Sequence, residues 1–229
     1  LHDQRTIFAA GKGNHPATVS FLAPSYNEAC EINSVRQKAI NLIYGLNKLL
    51  QEHIPNQVGR FDDAFNRNCV GDAFQQLGVS TVLFEAGHFQ NDYQREETRK
   101  YIFVSMLRSF ELLYENDIVN NKTIDYLKIP QNNPCFYDIV YRNVKINYDN
   151  SFLITNFAAQ FKEEFTPNGL VFTAYIETIG ELSDYFGHQE YDLKEQLIEG
   201  EAADFFFFFK KADFVVENIG KFVNGLLKN

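Results

Sequence analysis

The chain has 229 residues, 45% hydrophobic and 22% charged, with a formal net charge of −9 and a pI near 5.1. These values fit one large globular domain or two of ordinary size and exclude wholesale disorder. The acidic balance argues against a nucleic-acid surface or a polybasic membrane patch, and no apolar run approaches the roughly 18 residues that span a bilayer.

Cys30, Cys69 and Cys135 are odd in number, widely spaced and without a CxxC, a pattern that favours reduced thiols over a disulfide framework. There is no tryptophan, but 23 phenylalanines and 12 tyrosines supply large core side chains. The chain opens on Leu1 rather than methionine and shows no signal peptide, so a fragment of a longer protein is expected.

Leu1 to Arg5 (LHDQR) sets His2 between a leucine and an aspartate. Gly11 to Pro16 reads as a loop, and its GxG lacks the flanks of a phosphate-binding turn. Ala17 to Leu22 predicts a short strand. Asn33 and Ser34 offer N-caps for a helix to about Glu52, whose Val35, Ala39, Leu42, Ile43, Leu46, Leu49 and Leu50 share one face. Pro55 to Asp72 shows no periodicity and reads as a long loop, rich in Asn, Asp and Gly.

Ser80 to Glu85 (STVLFE) is dense in β-branched and aromatic residues and predicts a buried strand of a parallel sheet. It ends on the carboxylate of Glu85, followed by Ala86, Gly87 and His88. Chemistry in open α/β sheets gathers beyond the carboxyl ends of strands. Glu85 is therefore a candidate general base, beside a glycine that would let a substrate approach; the alternative is an ordinary solvated strand-end carboxylate. Asp92 is a candidate cap for a helix carrying Ile102, Met106, Phe110 and Leu113 on one stripe and ending near Tyr114 to Asn116. The polar NDIVNNK segment predicts a domain boundary there.

From Tyr137 the texture changes to short β-prone runs: Tyr137 to Tyr148, Phe152 to Phe157, Leu170 to Ile176 and Phe205 to Val216. They predict a small, mainly β second domain ending in a strand pair and a short helix. Phe205 to Phe209 reads as a strand buried on both faces, and Glu181 to Gly200 is ambiguous between a loop and a helical turn.

With LHDQR, the GRFDDAFN…GD loop, VLFEAGHF and REETRKYIF in that order, the chain resembles the zinc carboxypeptidase family of the carboxypeptidase A type, and within it a bacterial branch of peptidases. The resemblance covers about Leu1 to Tyr114. It implies an α/β fold, the C-terminal half of a mixed-sheet catalytic domain over residues 1–117, with a mainly β accessory domain over 118–229. In that family zinc is held by a His-x-x-Glu pair and a later strand-end histidine, which His2 matches. Glu85 matches the general base, and Glu97-Thr98 the opening of the helix that follows it. Where the family brings a substrate-covering tyrosine, this chain offers Phe61 and Phe65. Asp72 matches the acidic position beside the specificity pocket, and Arg60 and His88 are further candidates for the substrate pocket.

No HxxE occurs in the chain, and His15, His53, His88 and His188 have no metal-ligand spacing. The other zinc ligands and the substrate-binding arginines are expected upstream of Leu1, which leaves these 229 residues inactive alone. The resemblance implies a metal-activated water attacking a C-terminal peptide bond, with a peptide as substrate. Two alternatives stay open: a deacylase or amidohydrolase of the same superfamily acting on N-acyl amino acids, and a non-catalytic binding module that keeps the fold.

Overall fold

The computed structural model describes residues 1–148, 151–199 and 210–228. It is a mixed α/β protein with several sheets, 24% helix and 38% strand, and it divides into two compact units, Leu1–Pro134 and Cys135–Asn229. No helix among the described residues is long and apolar enough to cross a membrane.

The first unit contains, in order, β1 (His2–Asp3), β2 (Phe8–Ala10), β3 (Val19–Leu22), α1 (Ser34–His53), β4 (Val58–Arg60), α2 (Val70–Gln76), β5 (Leu83–Ala86), α3 (Glu96–Tyr114), α4 (Thr123–Leu127) and β6 (Asn132–Pro134). Its main sheet runs β1-β5-β3-β4, and β2 pairs with β6 in a separate ribbon. β5 lies parallel to β1 but antiparallel to β3, so the sheet is mixed, and β5 is shorter than the expected STVLFE run. Side chains alternate across it. Val19, Phe21, Val58, Phe84 and Ala86 join Ile40, Ile43, Leu46 and Leu50 of α1 and Ile102 of α3 in one core. Each large apolar side chain fully buried there contributes about 1.5–3 kcal/mol. The opposite face carries a row in direct cross-strand register: His2, Glu85, Ser20, Gly59.

α1 keeps its expected bounds because Asn33 caps it, its side-chain oxygen accepting from the amides of Val35 and Arg36. The long loop expected over Pro55 to Asp72 contains β4 and the first turn of α2 instead. Val58 and Gly59 are buried there by pairing with β3, a tertiary contact that local composition does not signal.

In α3 the expected stripe is rotated. The buried positions are Thr98, Ile102, Ser105, Ser109 and Leu112, while Phe103, Phe110 and Leu113 are exposed. Asp92 sets this phase, its carboxylate accepting from the amides of Glu96 and Thr98 and turning Thr98 inward. Ser105 and Ser109 donate to the carbonyls of Tyr101 and Ser105 one turn back, so their hydroxyls can be buried without loss.

The first unit also extends past the boundary expected after residue 117. Tyr126 of α4 is buried in its core and accepts the Ala23 amide at 3.2 Å, and β6 completes the ribbon with β2.

The described residues of the second unit contain strands joined by turns and no helix. β7 (Phe136–Tyr148), β8 (Ser151–Thr166), β9 (Gly169–Gly180) and β10 (Phe186–Asp192) make a sheet of order β10-β7-β8-β9, with β10 parallel to β7 and the rest antiparallel. β11 (Ile198–Glu199), β12 (Phe214–Val216), β13 (Gly220–Val223) and β14 (Leu226–Lys228) make an antiparallel second sheet. Tyr141, Phe157 and Ile176 of the one share a core with Phe214, Val216 and Phe222 of the other. The ambiguous Glu181 to Gly200 stretch thus supplies β10 and β11, and strands take the place of the expected terminal helix. The Phe205 to Phe209 run lies outside the described residues.

Candidate functional site

Parallel pairing of β1 with β5 puts His2 directly beside Glu85, with His2 Nδ1 3.3 Å from Glu85 Oε1. The two differ sharply in environment: the histidine side chain is 67% exposed and the glutamate side chain 3%. Burial raises the Glu85 carboxyl above its ordinary value near 4.5, and the adjacent imidazole opposes that rise. The result is a carboxylate more basic than a solvated one, reached from a cleft of about 280 Å³ lined by His2, Asp3, Gln4, Arg5, Phe8, Phe61 and Glu85. A buried titratable group opening on a cleft, with a specific charge partner, is suited to taking up and returning a proton.

Behind the pair lies a closed set of polar side chains. Gln4 is two residues along from His2 and is buried. Its Nε2 donates to the Ala17 carbonyl at 2.8 Å and to Ser20 Oγ at 3.1 Å. Asn132 Nδ2 donates to Gln4 Oε1 at 2.8 Å, and Ser20 Oγ donates to Asn132 Oδ1 at 3.0 Å. Two glycines make room for this arrangement. A Cβ on Gly59 would overlap Asn132 Oδ1 and stand 2.7 Å from Ser20 Oγ; one on Gly87 would overlap the Ala17 carbonyl oxygen and stand 2.5 Å from Gln4 Nε2. Gly87 therefore admits the Gln4 amide, not the approaching substrate expected from its place after the strand. On the other side of β1, Arg95 Nη2 donates to Asp3 Oδ1 at 3.0 Å and to the Ala86 carbonyl at 2.9 Å.

Of the other sequence candidates, Phe61 reaches the cleft, where its ring meets Phe8 edge-on at 5.8 Å. Arg60 does not line it. Its register partner is Phe21, on the helix-covered face, and its guanidinium lies over the buried Tyr126 ring, 5.6 Å from the centroid. Asp72 is buried in the first turn of α2, away from the cleft, and accepts the Asn66 amide; burial raises its carboxyl. His88 is buried with its ring against Tyr93 at 4.8 Å, and its carbonyl accepts from Thr18 Oγ1. Phe65 is half-buried in the loop between β4 and α2 and is not among the cleft residues. The sequence reading missed Gln4, Ser20, Phe8 and Asn132. The two-residue step from His2 to Gln4 in a strand was a usable signal for Gln4; nothing local marked Asn132.

An imidazole nitrogen and a carboxylate oxygen are donor types that suit zinc, but a zinc site needs at least three protein ligands. Among the described residues no group of three or more His, Cys, Asp and Glu side chains could hold a metal ion. The donor types at His2 and Glu85 therefore fit and their number does not. Comparisons of the chain with protein-family models, with curated proteins and with solved structures found no match.

Proposed function

We propose that this chain forms part of a zinc-dependent metallocarboxypeptidase, with Glu85 as general base and His2 as one of the zinc ligands. The observation that carries the reading is the register pairing of an exposed imidazole with a buried, basic carboxylate at a cleft on the sheet face away from the helices. The remaining ligands belong, in this reading, to residues upstream of Leu1.

In this reading His2 would supply one ligand to a zinc ion, and that ion would activate a water and polarise the scissile carbonyl. Glu85 would accept the proton of that water and return it to the leaving amine, its buried position limiting competition from bulk water for the proton. Phe8 and Phe61 give the cleft an apolar wall against which a substrate side chain can rest.

The test is zinc-dependent release of C-terminal residues from a peptide panel by a polypeptide that joins this chain to its upstream residues. N-acyl amino acids in the same panel separate peptidase from deacylase chemistry. Glu85→Gln should lower kcat by about 10²–10⁴-fold, the usual contribution of a general base. Unchanged turnover in Glu85→Gln would remove the assigned role.

A further inference from the structure

The strand that presents His2 is only two residues long, and pairing with β5 alone gives it little hold. Its position is set by what grips the residues just after the histidine. Gln4 spends both ends of its amide on this: two donated bonds to β3 and the segment before it, one accepted bond from β6. Every polar atom of the Gln4 amide, the Ser20 hydroxyl and the Asn132 side-chain oxygen acts inward within this set. Two separate glycines leave the space it occupies. Ser20 is also the cross-strand neighbour of Glu85, so the set is anchored on the strand that flanks the carboxylate.

We infer that Gln4 is a positioning residue: it locks β1 against β3 and β6, and so fixes where the His2 imidazole stands relative to the Glu85 carboxylate. Its bearing on catalysis rests on the function proposed above, whereas its bearing on geometry does not. An apolar side chain of the same length would fill the space but hold neither partner. β1 would then open while the rest of the sheet stays closed, because β3, β4 and β5 keep their own ladders.

Amide hydrogen exchange on the 229-residue chain reads this directly. The position-4 amide donates to the Ala86 carbonyl at 3.0 Å, and the Phe61 amide, donating to Phe21 at 3.0 Å, is the internal reference. Gln4→Met should lower protection at position 4 roughly tenfold while protection at Phe61 holds, the loss expected for buried hydrogen bonds of ordinary strength. If both amides lose protection together, or neither does, Gln4 only adds bulk stability and the inference is wrong. Asn132→Ala removes the bond that Gln4 accepts and the one that Ser20 donates to Asn132, but leaves the two that Gln4 donates, so it should give a smaller fall at the same position; it carries the test if Gln4→Met does not fold. In the polypeptide that includes the upstream residues, Gln4→Met should lower kcat per folded molecule, the folded fraction being taken from protection at Phe61, because partial unfolding by itself lowers only the number of active molecules. Lost protection with kcat unchanged overturns the positioning role. A wild-type protein without peptidase activity counts against the proposed function, and hydrogen exchange then decides the role of Gln4 by itself.

Discussion

The sharpest energetic prediction concerns Gly87→Ala. The new Cβ would overlap the Ala17 carbonyl oxygen and stand 2.5 Å from Gln4 Nε2 and 2.9 Å from the Ala17 carbonyl carbon. Ordinary contact is about 3.5–4 Å, so two buried groups must move by an ångström or more, and one of them is backbone. Forcing extra volume into such a site costs about 1–3 kcal/mol. Displacing the Gln4 amide from Ala17 and Ser20 adds about 1–3 kcal/mol for the two hydrogen bonds. The sum, about 2–6 kcal/mol, is a large part of the roughly 5–15 kcal/mol that holds a domain folded. Gly45→Ala is the matched control. It gains about 1 kcal/mol of helix propensity and meets only the end of the Leu112 side chain, at 2.8 Å, which can turn away. Urea unfolding followed by ellipticity at 222 nm suits both variants, since all helices among the described residues lie in the first unit. A Gly87→Ala variant within about 1 kcal/mol of wild type, or no worse than Gly45→Ala, would refute the account of Gly87.

Two further outcomes use the same signal. Glu85 has a folded-state pKa raised above its unfolded value near 4.5, mainly by burial. Its contribution to stability is therefore fully present below about pH 4.5 and lost as the pH rises through the raised folded value. Glu85→Gln cannot ionise, so its stability relative to wild type should increase between about pH 4 and pH 7; parallel pH profiles would contradict the assigned environment. Arg36, fully buried, donates Nε to the Ala23 carbonyl at 3.0 Å, Nη1 to the Cys30 carbonyl and Nη2 to Asp63 Oδ2, both at 2.5 Å. Lysine cannot reproduce this fork, and Arg36→Lys should cost about 3 kcal/mol; a loss under about 1 kcal/mol would mean the two loops are held by something else.

What the sequence disclosed and what it hid divide along contact range. α1 was legible to within a residue because its cap and its apolar stripe are local. The phase of α3 was not, because Phe103, Phe110 and Leu113 outweigh Thr98, Ser105 and Ser109 in hydrophobicity, yet Asp92 and the back-bonded serines decide which face turns inward. β4 escaped notice because a three-residue strand containing Gly59 has no pattern of its own. At the site, residue chemistry singled out Glu85, and its pairing with His2 came through the resemblance. The register that joins them is a property of the sheet. Arg60 and Asp72 are of suitable chemical type, but alternation puts one on the helix-covered face and burial holds the other in α2. Gln4 and Asn132 are plain amides whose use appears only when both are seen together.

The bond between Gln4 and Asn132 joins residues 128 positions apart. Closing a loop of that length costs about 4 kcal/mol in chain entropy beyond a constant, and one amide pair returns only about 1 kcal/mol. Such a contact cannot nucleate folding; it has to wait for α1, β3 and β4 to bring the chain back on itself. In refolding, helical signal should therefore return before protection at position 4. By the same ordering the cleft should be the last part of the first unit to form and, in unfolding, the first to be lost.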